Sequence, residues 1–102
     1  MIVNWSDNAR LHWFESAEYI KNCFGSAALD NFARLTADVV RQISVMPLSG
    51  SIEPLLSHRG DCFRSIIFGK HSKIIFVIQE DTISIVDYLD TRQEPSKLTE
   101  RL

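Results

Sequence analysis

The sequence predicts an α+β fold in which two helices pack on a small β-sheet. The first half carries apolar residues at helical spacing, whereas the second half carries short apolar runs separated by turn residues. A chain of 102 residues with 45% hydrophobic and 24% charged residues has the composition of a globular protein with one core. We therefore expect a single domain over residues 1–102, in the order strand, helix, helix and three strands.

The first half is expected to form a short strand and a helical hairpin. Residues 1–5 alternate weakly and indicate a strand, and Ser6 is a good N-cap for the helix that follows. Gly25 is a natural helix stop, Ser26 can cap a second helix, and Pro47 marks its end. The two apolar stripes are Ala9, Trp13, Ala17, Ile20 and Phe24, then Leu29, Phe32, Thr36, Val39, Val40 and Ile43. So short a connection predicts that the helices run antiparallel.

The second half is expected to form an antiparallel meander. Its three β-type runs are 61–68, 73–79 and 82–89. A four-residue loop after Phe68 would place Phe68 opposite Lys73, and a two-residue loop would place Gln79 opposite Thr82. Because side chains alternate between the faces of a strand, this register assigns every residue to a face.

One face of the predicted sheet packs on the helices, and the other is partly apolar. The helix-facing side chains are expected to be Phe63, Ile67, Ile74, Phe76, Ile78, Ile83, Ile85 and Leu89. The opposite face is expected to hold Cys62, Arg64, Ile66, Phe68, Lys73, Ile75, Val77, Ser84, Val86 and Tyr88. Its apolar centre predicts a partner-binding patch, since contiguous exposed apolar surface commonly binds another protein. The residues of that patch are Ile66, Phe68, Ile75, Val77 and Val86.

Composition excludes several classes of function. Eleven Lys and Arg against thirteen Asp and Glu give a net charge of −2, which disfavours a domain that coats nucleic acid. No apolar run reaches the roughly 18 to 20 residues that span a bilayer, and residues 1–7 lack signal-peptide features, so we expect a cytoplasmic protein without a membrane partner. Cys23 and Cys62 are expected to be small core residues, and the three histidines lack metal-ligand spacing. We expect no metal and no cofactor.

Several short motifs accompany this order of elements. They are Glu18-Tyr19-Ile20 before Phe24-Gly25, Ala28 with Phe32, Pro47 with Gly50, Asp61-Cys62-Phe63-Arg64, and Asp90-Thr91-Arg92 before Pro95. With these motifs, nearly the whole chain resembles the RelE/ParE superfamily of bacterial toxins. The resemblance implies a βααβββ fold and the toxin half of a type II toxin-antitoxin (plasmid stabilisation) module. It also implies a cognate antitoxin that binds and silences the toxin, with a homodimer or a toxin-antitoxin hetero-oligomer both open.

The RelE-like branch of the superfamily cleaves messenger RNA on the ribosome. The resemblance places Arg64, Lys73 and Arg92 at basic positions of that branch, where cations stabilise the charge that develops on phosphate. The expected C-terminal tyrosine or histidine is missing, because neither residue follows Arg92. Tyr88 is the candidate replacement, since the predicted register puts it on the same face as Arg64 and Lys73.

The ParE-like branch inhibits DNA gyrase by binding it and needs no catalytic residues. Loss of the terminal tyrosine or histidine and the net charge of −2 favour this branch slightly. The alternatives are a ribosome-dependent mRNA endoribonuclease and an inactive toxin fold that serves as a binding module. Arg64, Lys73 and Arg92 are equally well interpreted as ordinary surface charges paired with nearby aspartates.

Overall fold

The computed structural model describes residues 1–59 and 62–92. Its elements are β1 (Ile2–Trp5), α1 (Asp7–Phe24), α2 (Ser26–Val45), β2 (Ser51–Ile52), β3 (Phe63–Phe68), β4 (Ser72–Gln79) and β5 (Thr82–Asp90). The helices pack on one face of a five-stranded sheet with the strand order β1-β5-β4-β3-β2. The predicted α+β class and the predicted order of elements are confirmed, whereas the predicted strand start at residue 61 and the motif residues Asp61 and Pro95 lie outside the described residues.

Local signals in the sequence explain where the helices begin and end. The Ser6 hydroxyl accepts a hydrogen bond from the backbone N–H of Ala9 at 3.0 Å, which confirms the predicted N-cap. Gly25 ends α1 with a φ of 93°, a conformation that glycine adopts without strain. The prediction for α2 was wrong in one detail: Ser26 is its first helical residue, and its side chain makes no capping bond. Pro47 follows the end of α2 as predicted.

The sheet is mixed rather than purely antiparallel. Strands β3, β4 and β5 form the predicted antiparallel meander. Strand β1 adds to β5 in parallel, with Ile2 beside Thr82 and Trp5 beside Ile85. Parallel neighbours need a long connection, which both helices and the meander supply. Between α2 and β3, where no strand was predicted, β2 adds a two-residue edge strand beside β3.

The predicted register was wrong at the turn between β3 and β4. The loop has three residues, so Phe68 pairs with Ser72 and Ile67 pairs with Lys73. Gly69 has a φ of 58° and makes this tighter turn accessible. A shift of one residue exchanges the faces of β3. Ile66 and Phe68 therefore pack on the helical side, whereas Ile67 is 61% exposed. The second loop was predicted correctly, since Gln79 pairs with Thr82.

A β-bulge in β5 corrects the predicted position of Tyr88. Ile75 pairs with Asp87 and Phe76 pairs with Ile85, so Val86 is the additional residue. The bulge changes the alternation along β5, and Tyr88 packs in the core between the sheet and the helices rather than on the opposite face. Leu89 correspondingly lies on the side away from the helices, where it was not expected.

A second apolar cluster covers the face of the sheet that is turned away from the helices. Residues 51–59, here called the strap, consist of the edge strand β2, Glu53 and the 3-10 segment Pro54–Arg59, and Leu56 of the 3-10 segment packs on this face. The buried members of the second apolar cluster are Leu56 of the strap, Ile75 of β4 and Leu89 of β5. The half-buried residues that pack against them are Leu55, Phe63 and Val86. The predicted open face is therefore covered by the chain itself.

Three residues that the sequence pattern placed in the core are exposed. Cys23 and Cys62 are both exposed free cysteines. Phe24 is 68% exposed and packs edge-on against Tyr19, with 6.3 Å between the ring centroids. Phe24 and Cys23 occupy the last turn of α1, and the buried positions of that helix are Ala9 and Ala17, so the core contact fades toward the hairpin turn.

Candidate functional site

A cleft opens between the turn of the helical hairpin and the sheet. Its volume is about 400 Å³, and it lies beside the β3–β4 turn and the end of β5. Its lining includes Tyr19, Phe24, Leu35, His71, Tyr88 and Arg92. The cleft combines aromatic and aliphatic walls with a polar margin, and such concave sites bind ligands or the side chains of a partner.

Tyr88 lies at the inner end of the cleft and is 3% exposed. Its hydroxyl is 2.8 Å from the Ser72 hydroxyl, and Ser16 of α1 also hydrogen bonds to it. Its ring packs edge-on against Phe32 of α2, with 5.9 Å between the centroids. Burial raises the pKa of Tyr88 above its ordinary value, although the Ser72 hydrogen bond opposes this. At neutral pH the phenol therefore stays protonated and is a poor general base.

Arg92 and Asp90 form an ion pair at the mouth of the cleft. Arg92 Nη2 is 2.7 Å from Asp90 Oδ2, and the backbone N–H and Nε of Arg92 both donate to Asp90 Oδ1. The hydrogen bond from the Arg92 side chain lowers the pKa of Asp90 more than burial raises it. The Arg92 side chain is 60% exposed, so the pair is solvated. Lys70 and His71 line the same cleft, which gives this margin additional basic groups.

Lys73 lies on the other side of the sheet, under the strap. Its ammonium group donates to both carboxylate oxygens of Glu53, at 2.9 and 2.8 Å. The Glu53 side chain is completely buried and that of Lys73 is 12% exposed. Burial by itself would raise the pKa of Glu53, but hydrogen bonds from Lys73, from Ser65 and from the Leu55 N–H outweigh it and lower the pKa. The Lys73 charge is therefore already neutralised within the fold.

Arg64 has a structural contact at the start of the strap. Its Nη2 donates to the carbonyl oxygen of Gly50 at 2.5 Å and approaches that of Leu48 at 3.4 Å. These contacts join β3 to the segment that leaves α2. Both carbonyls belong to irregular backbone, which needs partners of this kind when it is partly buried.

The four residues predicted for catalysis are thus divided between separate places. Tyr88 and Arg92 share the cleft, Lys73 faces the strap, and Arg64 binds backbone carbonyls at the edge of the sheet. The sequence-based expectation that Arg64, Lys73 and Tyr88 share one open face was therefore wrong. The reasons are the shorter β3–β4 turn and the bulge in β5.

The five residues predicted to bind a partner do not form one exposed patch. Ile66 and Phe68 pack on the helical side of the sheet, and Phe68 is 7% exposed. Ile75 is fully buried beneath the strap, and Val86 packs beside it. Val77 is half-buried. The predicted exposure of this patch was wrong, and a binding role for these residues stays a prediction.

The structural contacts of two buried acidic residues were not predicted from the sequence. Glu53 is fully buried and anchors the strap, and Asp87 is fully buried 2.6 Å from His12 Nδ1 of α1. Neither the contact of His12 nor a role for Glu53 was predicted from the sequence. An acid between Ile52 and Pro54 carries no periodic signal, because its partner Lys73 is twenty residues away and meets it only through the fold.

The described residues show neither a metal-binding cluster nor a membrane-spanning helix. Over residues 1–59 and 62–92, no three His, Cys, Asp or Glu side chains lie together in a way that would hold a metal ion. In the same ranges, no helix has the length and apolarity required to cross a membrane.

Comparison with known proteins identifies the fold. No protein-family model and no curated protein matches the chain. Among solved structures, the chain is similar to one of the chromosomal ParDE TA system from P. aeruginosa, with a TM-score of 0.71 and 11% identity. The match covers 88% of this chain and 95% of that chain. At this identity the similarity shows the fold alone, and it confirms the fold that the sequence resemblance implied. The chain has the RelE/ParE-like α+β fold.

Proposed function

We propose that this chain is the toxin of a type II toxin-antitoxin system and is neutralised by a cognate antitoxin. The observation that carries the proposal is the structural similarity to a ParDE TA system over 88% of the chain. The residues and motifs that resemble the RelE/ParE superfamily support the same function independently of the coordinates. In this role the chain inhibits growth, acts in the cytoplasm and assembles with its antitoxin.

Inhibition through binding to a protein is the mechanism that the contacts favour, with DNA gyrase as the target. A nuclease of the RelE type needs several cations directed at one phosphate and a proton acceptor beside them. Here Lys73 is held by the buried Glu53, and Arg64 is occupied by backbone carbonyls. While Glu53 is buried, redirecting Lys73 to a phosphate would leave that carboxylate unpaired, which is strongly unfavourable. A gyrase inhibitor requires none of these groups to be free.

A ribosome-dependent endoribonuclease is the second candidate, and one observation favours it. Tyr88 and Arg92 lie in the same cleft as Lys70 and His71, so a proton donor and three basic groups share one cavity. An inactive toxin fold that serves only as a binding module is the third candidate. The three candidates differ in whether gyrase is inhibited, messenger RNA is cleaved or neither occurs, so assays with purified gyrase and purified ribosomes can distinguish them.

The test is DNA supercoiling by purified gyrase in the presence of increasing amounts of the chain. We expect supercoiling activity to fall with dose and to recover when the protein encoded by the adjacent reading frame is added first. A parallel reaction with ribosomes and messenger RNA should leave the RNA intact. Unchanged supercoiling at saturating protein would exclude gyrase as the target. Cleavage that is lost in Tyr88→Phe would support the endoribonuclease instead.

A further inference from the structure

The strap is attached to the sheet by a short strand pairing, by the ion pair of Glu53 with Lys73 and by one apolar cluster. Its β2 portion contributes a two-residue pairing with β3, and the Glu53 N–H donates to the Phe63 carbonyl at 2.8 Å. Its 3-10 segment buries Leu56 and half-buries Leu55. Such 3-10 segments have poorer hydrogen-bond geometry than α-helices. Strands β3, β4 and β5 pair with one another without the strap. Opening of the strap would therefore leave these strand pairings intact.

The ion pair between Glu53 and Lys73 is suited to a removable contact. Within the closed structure both ions are almost completely withdrawn from water, and the attraction between them offsets that loss of hydration. When the strap lifts, both ions regain water, so much of the lost attraction is recovered. Replacing a buried ion pair by apolar side chains is often neutral or stabilising, so a permanent cover does not require this pair.

The surface under the strap determines which chemical groups a ligand would need in order to bind there. Ile75 and Leu89 are buried there, Phe63 and Val86 lie beside them, and the Lys73 ammonium is the adjacent cation. The strap covers this surface with two leucines and a carboxylate. A segment from another protein would fit if it carried the same groups.

We propose that the strap is a removable cover over a docking surface, and that an acidic, leucine-containing segment of a partner protein binds there in its place. The carboxylate of that segment pairs with Lys73, and its leucines contact Ile75 and Leu89. This site is separate from the cleft that contains Tyr88, because the two lie on opposite faces of the sheet. The proposal does not require that the chain be a toxin, so growth assays and the experiments below can fail independently.

The first experiment is native-state hydrogen exchange on the wild-type chain. We expect the amides of Glu53 and Leu56 to exchange at least about tenfold faster than those of Ile74 and Phe76, through one shared opening. Glu53→Gln should accelerate only the strap amides, because it leaves Lys73 unpaired until the strap opens. Equal exchange rates for the strap and β4 in the wild type would overturn the proposal, and this result does not depend on whether any variant folds.

The second experiment measures binding of a fluorescein-labelled peptide with the strap sequence, residues 51–59. The Glu53→Gln protein should bind it at least about tenfold more tightly than the wild type, because more of that protein is open. Removing the cation as well, in Glu53→Gln combined with Lys73→Met, should abolish this gain. A control peptide has glutamine for the glutamate and serine for both leucines. Equal binding of the control peptide, or no binding to the Glu53→Gln protein, would contradict the proposal.

Discussion

Lys73 shows at the scale of one residue how burial determines what a cation can do. A lysine that opens a strand is available to bind phosphate when it is solvated. In this fold the strap places Glu53 against it, and the pair is enclosed together with Ser65. The sequence predicted a strand that starts at Lys73, and β4 starts one residue earlier, at Ser72. The sequence did not predict that Glu53 pairs with Lys73. Glu53 lies in irregular backbone, where no periodicity assigns a side chain to a face.

The lowered pKa of Glu53 predicts how stability depends on pH. Because the pKa is lower in the folded than in the unfolded chain, the stabilisation is complete above the unfolded value of about 4.3 and is lost as pH falls through the folded value. Glu53→Gln should lower the free energy of unfolding by about 1–3 kcal/mol at pH 7. Urea unfolding followed by circular dichroism at a series of pH values measures both effects.

The difference between wild type and Glu53→Gln should shrink as pH falls below the unfolded value of about 4.3 and then through the lower folded pKa, where the wild-type carboxylate also becomes neutral. Asp38→Asn is the matched control, since its ion pair with Arg41 is exposed on α2. That control should change the free energy of unfolding by less than about 1 kcal/mol at pH 7. A wild-type minus Glu53→Gln difference that stays constant from pH 7 to pH 3 would show that Glu53 is not the titrating group.

At the scale of elements, the helices were more predictable than the faces of the strands. The helical stripes and Gly25 fixed the hairpin, because each signal is local. The sheet faces depended on the length of one turn and on one bulge. The turn, one residue shorter than predicted, moved Ile66 and Phe68 to the helical side, and the one additional residue of the bulge moved Tyr88 there. The covered face was missed as well, because the segment between α2 and β3 carries the turn residues Gly50 and Pro54 and no β-type pattern.

Gly50 provides a test of how the strap is joined to α2. A Cβ atom at this position would lie 2.8 Å from the Phe76 ring and 2.8 Å from the carbonyl oxygen of Ser65. Gly50→Ala should therefore lower the free energy of unfolding by about 1–3 kcal/mol through overpacking. Thermal or urea unfolding measures the loss, and Ser49→Ala at the exposed neighbouring position should leave stability nearly unchanged. Unchanged stability in Gly50→Ala would mean that the strap moves aside easily at this end.

At the scale of the whole molecule, the fold was more predictable than the function. Element order and spacing were sufficient to imply the RelE/ParE-like fold, which the structural match confirms at 11% identity. Of the residues predicted for catalysis, Tyr88 and Arg92 line one cleft whereas Arg64 and Lys73 lie elsewhere, and a catalytic role for any of them stays a prediction. Function on such a fold depends on which side chains are exposed, and that information arises only from the assembled surface.

The most direct measurement of the proposed function is pulse labelling of DNA and protein synthesis in bacteria after induced expression of the chain. We predict that growth stops and that DNA synthesis falls before protein synthesis, in both the wild type and Tyr88→Phe. Co-expression of the adjacent reading frame should restore growth. Unaffected growth would contradict the toxin function, and an earlier fall in protein synthesis with cleaved messenger RNA would contradict the binding mechanism.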